Sequence, residues 1–129
     1  MSMTTNKELI ESFIEDIFNK HDILAIEKYF IKDSTLGSNG FKLFLNALFK
    51  AFPDMHTSIE HIVAENDLVV VFLKGTGTNT GEFRGKPPTN KRVDIRSSDL
   101  YRIENGKIVE HWDVVDQLNL LRQTGMTLS

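Results

Sequence analysis

Three residues in a row, His111-Trp112-Asp113, stand near the end of the chain inside an otherwise apolar stretch, with Asp116 three positions on and Asp99 upstream. A carboxylate set among apolar side chains loses hydration. Its pKa rises, and it becomes a better proton acceptor near neutral pH. Asp113 is the first candidate for that work. His111 lies two residues away on the same side of an extended strand, about 6.6 Å along it, close enough to orient a group or relay a proton. Asp116, a second candidate, precedes Gln117-Leu118-Asn119-Leu120-Leu121 and is better suited to capping a helix there.

These residues need a rigid support, and the local sequence supplies one. Asn105-Gly106 separates two extended runs. Asn-Gly favours a type I′ turn because both central positions require φ > 0. With a two-residue loop, Glu104 faces Lys107 and Ile103 faces Ile108. Regular alternation from there puts Asp99, Tyr101, Ile103, Ile108, Glu110 and Trp112 on one face. Ser98, Leu100, Arg102, Val109, His111, Asp113 and Val115 fall on the other. Asp99 and Asp113 therefore enter one pocket only if a β-bulge moves one of them across. Otherwise either Asp99 with Trp112, or His111 with Asp113, lines the cavity.

Upstream, the hydrophobic period divides the chain in two. Thr5-Asn6-Lys7-Glu8 resembles a capping box, followed by Ile10, Phe13, Ile14, Ile17 and Phe18 at helical spacing. Asp22 is placed to cap a short second helix with Ile23, Ile26, Tyr29 and Phe30 inward. Ser38 or Asn39 opens a third, which buries Phe41, Phe44, Leu45, Leu48, Phe49 and Phe52 before Pro53 stops it. From Met55 the period becomes two. Asn66-Asp67 reads as a turn, and Leu68 to Leu73 as a strand covered on both faces. A Gly- and Thr-rich stretch follows, which reads first as a twisted strand and plain turn near the cavity mouth, with its Asn and Thr groups as candidates to bond a substrate oxygen. Arg92–Ile103 and Ile108–Val115 are the last strands. Residues 116–123 form a closing helix, with Gly125 as its stop. Helices followed by an antiparallel meander make an α+β domain: a curved sheet wrapped over N-terminal helices as a cone with an interior cavity. Apolar groups on both hairpin faces predict that one face meets the helices and the other a second subunit.

Composition narrows the function. A chain of 129 residues suits one domain, and its net charge of −3 gives no support for nucleic-acid binding. There is no cysteine, so thiol nucleophiles, disulfides and zinc–thiolate sites are excluded. The four histidines show no metal-ligand spacing. A polar start and the lack of a long apolar segment predict a cytoplasmic protein without membrane contact.

Three blocks resemble the SnoaL-like polyketide cyclases, also called ester cyclases. They are Ala51-Phe52-Pro53-Asp54; the stretch Gly77-Thr78-Asn79-Thr80-Gly81-Glu82-Phe83 with residues 85–91; and Tyr101-Arg102-Ile103 through Asp116. The resemblance implies a single SnoaL-like domain over 1–129 with the cone-shaped fold of nuclear transport factor 2, ketosteroid isomerase and scytalone dehydratase. It also implies a cofactor-free, metal-free lyase or isomerase that closes a ring by intramolecular aldol chemistry on a carbonyl-containing small molecule. The general acid/base in such enzymes is a late-strand aspartate, here Asp113 by position. Asp99, His111 and Asp116 join it, and Trp112, Tyr101, Phe52, Phe49, Asn79 and Phe83 are expected to line the pocket. A homodimer through the sheet is implied as well. The family often has His where Asn79 stands and Gly where Asn90 stands. A non-catalytic carrier of an apolar molecule, or a hydrolase or dehydratase, are the alternative readings.

Overall fold

A computed structural model describes residues 3–31 and 39–125. Helix α1 (Met3–Phe13) runs directly into a π-helical turn, Ile14–Asn19. The helix begins two residues before Thr5, so the expected capping box lies within it, and the Thr5 side chain falls outside the described residues. A single 3-10 turn, Ile23–Ala25, leads into the short α2 (Ile26–Tyr29). Asp22 precedes that turn, yet its side chain makes no capping bond. Helix α3 covers Asn39–Ala51, and Ser38 lies outside the described residues. Four strands follow: β1 (His56–Glu65), β2 (Leu68–Thr78), β3 (Arg92–Glu104) and β4 (Lys107–Val115). Helix α4 (Gln117–Thr124) ends at Gly125, whose φ of 78° is the left-handed stop that glycine permits.

The strands form one antiparallel sheet in the order β1-β2-β3-β4. Its inner face meets the helices through Val69, Val71, Leu73, Tyr101, Ile103 and Ile108. Against them lie Ile10, Phe13, Ile14 and Ile17 from the N-terminal helix and Ile26, Tyr29 and Phe30 from the α2 segment. Phe13 is central to this packing: its ring meets those of Tyr29, Phe30 and Tyr101 edge-on at 5.5–5.6 Å. The outward residues of β2 differ from expectation. Phe72 is 46% exposed, because no helix among the described residues covers that side of the sheet.

Two local features position the site. The π turn widens the backbone bonding, with Lys20 N–H donating to Glu15 O at 2.9 Å. It sets Asn19 against β1, where the amide accepts from Thr57 N–H at 2.6 Å and donates to Thr57 O at 2.9 Å. Phe18, in the same turn, reaches the cavity. The second feature ties α3 to the sheet. Asp54, just past Pro53, accepts from the backbone and hydroxyl of Thr78 at 2.7 and 2.8 Å, and these bonds hold its carboxyl below the usual range. Thr80 and Gly81 donate to Ala51 O at the helix end. That approach needs glycine: a Cβ at Gly81 would lie 2.0 Å from Lys50 O.

Candidate active site

The hairpin turn adopts the expected form, with φ of 50° at Asn105 and 75° at Gly106. Glu104 pairs with Lys107 and Ile103 with Ile108, but the next pair is Arg102 with Glu110. One extra residue, Val109, is inserted in β4 without a partner. The reason lies in spacing. Ile108 and His111 both face inward three positions apart, and an alternating strand allows that only with a bulge. Beyond it Tyr101 pairs with His111, Leu100 with Trp112 and Asp99 with Asp113. The two carboxylates that regular alternation separates are thus cross-strand neighbours on one face.

That face floors a cavity of about 130 Å³, room for roughly one six-membered ring. Asp99, His111 and Asp113 line it. So do Phe18, Phe41, Phe44, Leu48, Phe52 and Phe83, and the walls are chiefly apolar. Phe44, Arg84, Asp113 and Gln117 are exposed lining residues and mark the mouth.

The carboxylates differ in setting. Asp99 is 6% exposed. Burial pushes its pKa up to about 6, opposed by the Tyr101 hydrogen bond and assisted by the charge of Asp113. The Tyr101 hydroxyl donates to Asp99 Oδ2 at 2.8 Å, and burial drives the phenol well above its ordinary value, so it remains a donor. Asp113 corrects the expectation of a dry group: although it lines the cavity, it is exposed at the open end of the edge strand. The desolvated carboxylate is Asp99. His111 stacks flat on Tyr101, with ring centres 4.8 Å apart, and meets Phe41 edge-on at 6.0 Å. Burial lowers its pKa, opposed by Asp113, and its buried Nε2 has no hydrogen-bond partner. Among the described residues no cluster of three or more His, Asp or Glu is placed to hold a metal ion.

The remaining candidates divide. Phe52 and Phe83 line the cavity and pack on each other at 5.5 Å. Tyr101 lies behind Asp99, fully buried and outside the lining. Trp112 points to the opposite face of the sheet, 46% exposed, because the bulge reverses its direction. Phe49 turns away to stack on His21 at 3.9 Å. Asp116 caps α4, accepting from Asn119 N–H at 3.1 Å. Asn79 is fully buried but faces its own loop. It donates to Gly81 O at 2.9 Å and accepts from Thr89 N–H and Oγ1 at 2.9 and 3.0 Å. Its departure from the family's usual His therefore bears on loop geometry. Asn90 adopts φ 61°, which explains why glycine also serves at that position. Phe18 and Arg84, which also line the cavity, carry no sequence signal for it: one is turned inward by the π turn, the other by a tight loop.

A curved antiparallel sheet over helices, enclosing an apolar cavity with paired carboxylates at its base, defines a protein of the nuclear transport factor 2-like class. The model of the SnoaL-like polyketide cyclases matches residues 8–124, and the chain belongs to that family. Among solved structures it is similar to AclR from Streptomyces galilaeus, described as "a putative hydroxylase" (31% identity, TM-score 0.89, 99% of this chain and 85% of that one). It is also similar to IdmH from Streptomyces antibioticus, "a putative polyketide cyclase" (26%, 0.79, 94% and 99%). TsrD from Streptomyces laurentii, at 22% identity, shares the fold (0.85, 98% and 99%). No curated protein matches the chain. No helix of the described residues is long and apolar enough to cross a membrane.

Proposed function

We propose that the protein is a cofactor-independent acid/base enzyme acting on a carbonyl-containing small molecule, with Asp113 and Asp99 as its base and acid. The carrying observation is that the two carboxylates face each other across β3 and β4 on the sheet side of an apolar cavity, Asp99 buried and Asp113 exposed at the mouth. Neighbouring carboxylates hold a proton on the more desolvated member, and the other is left to act as base. Asp99 holds that proton, and Asp113 accepts the α-proton of the bound carbonyl compound. The electron pair of the broken C–H bond moves into the carbonyl, and Asp99 donates to the enolate oxygen. The enolate carbon then attacks a second carbonyl of the same molecule, closing a ring, or takes a proton back, giving an isomer. His111 lines the cavity beside them, its ring held flat against Tyr101.

The test is deuterium exchange at the α-carbon of 1-tetralone in D2O, followed by proton NMR. Wild-type protein accelerates exchange, and Asp113→Asn lowers the rate by about 10²-fold or more. An undiminished rate in that variant removes Asp113 as the base. The apolar lining also supports a second reading, a carrier of an apolar molecule. That reading gives no exchange, and a ligand retained on the purified protein in native mass spectrometry. A second copy of the chain covering the outer sheet face completes the proposed assembly.

A further inference from the structure

The cavity floor does not use Arg84, whose position is unusual. Phe83 and Lys86 pair across a tight turn, with reciprocal backbone bonds of 3.0 and 2.9 Å. The two central residues are Arg84, φ 52°, and Gly85, φ 76°. A type I′ turn of this kind normally places Asn, Asp or Gly at its first central position, and an arginine there adopts a backbone conformation that its Cβ disfavours. The turn lays the guanidinium over the Phe83 ring, 4.8 Å from its centre. From there it donates to Gln117 Oε1 on the first turn of α4. Phe83, Arg84 and Gln117 all line the cavity. Among the described residues the ion pairs join other basic groups to carboxylates and leave Arg84 without one.

Asp99 lies at the dry end of the cavity, and the mouth carries Asp113 together with a guanidinium that has no acidic partner among the described residues. The enclosed space accepts about one ring, so the rest of a larger ligand extends outward past Arg84. We infer that Arg84 is a specificity residue: it selects apolar carbonyl compounds bearing an anionic group, a carboxylate or its equivalent, held at the mouth while the reacting ring sits against the floor. This rests on the carbonyl-enzyme reading for the role of the floor, though not for the recognition at the mouth. Gln117 holds the guanidinium in place until the anion takes the remaining donors in forked geometry.

A pair of fluorescent probes with one ring system tests it. N-phenyl-1-naphthylamine is neutral, and 1-anilinonaphthalene-8-sulfonate is the same molecule with a sulfonate. In wild-type protein each displaces the other, and the sulfonate binds more tightly. Arg84→Met weakens the sulfonate about three- to tenfold and leaves the neutral dye unchanged. Arg84→Lys keeps most of the preference, and about 0.5 M salt narrows it. Equal loss of both dyes in Arg84→Met, no change in either, or failure of the neutral dye to bind wild-type protein each overturns the inference. Asp113→Asn keeps the dye preference while losing α-proton exchange. A failure of the chemistry is thereby read separately from a failure of the recognition.

Discussion

At the scale of single residues, Asp99 decides both pH behaviour and a part of stability. Its pKa in the folded chain, about 6, lies above the ordinary 3.8, so the fold binds this proton more tightly than the unfolded chain does. The resulting stabilisation is complete below 3.8 and is lost as pH rises through about 6. Asp99→Asn keeps an acceptor for Tyr101 without a buried charge. It is expected to raise stability by about 1–3 kcal/mol at pH 7–8, measured by urea titration at several pH values. The same residue sets an activity limb. If Asp99 donates a proton, kcat/KM for α-proton exchange falls as pH rises through about 6. In Asp99→Asn, which donates at every pH, that fall disappears. The sequence marks Asp99, His111 and Asp113 as titratable groups on strands, since their types and positions are visible. It does not say which carboxylate is dry, because that depends on Tyr101 behind one and on the open strand end beside the other.

At the scale of elements, most of the order is legible and its exceptions have local causes. Periods of 3.6 and 2 separate helices from strands. Pro53, Asn105-Gly106 and Gly125 mark their ends. The bulge at Val109 is illegible because neither it nor its neighbours is a glycine or a turn former, and the turn dictates register only beside itself. Its direction can still be tested. Removing Val109 leaves Ile108 facing in, Glu110 out and His111 in, so the deletion is expected to keep Asp113 opposite Asp99 and to retain a folded chain. Cross-strand NOEs between the α-protons or amides of those residues check it. The Asn79 loop gives a second prediction. Asn79→Ala strips partners from Thr89 N–H and Gly81 O, and should destabilise the protein by about 2 kcal/mol in thermal or chemical denaturation. Trp112 shows why pattern alone misleads here: a one-residue shift sends it to the far side of the sheet.

At the scale of the whole molecule, that far side is the notable surface. Val63, Val70, Leu100 and Trp112 form one cross-strand row, with His61, Phe72, Ser98 and Val114 beside it. Within these rows Val63, Phe72, Trp112 and Val114 are 58%, 46%, 46% and 72% exposed. A contiguous apolar patch on a sheet face marks an interaction site, which is the basis for expecting a second copy there. Phe72→Glu should shift sedimentation from dimer to monomer with the far-ultraviolet CD spectrum unchanged; a wild-type monomer at micromolar concentration would count against self-association.

The unpaired residue in β4 also has a genetic meaning. Every side chain beyond it owes its direction to a count of residues rather than to its own identity. A strand of the same length paired without the bulge would withdraw the imidazole and the carboxylate and present Trp112 and Val114 to the hollow instead. One codon lost or gained between the turn and Glu110 restores plain alternation with His111 and Asp113 still facing in, so a lineage with this hairpin can change its length there without surrendering the proton-transferring lining.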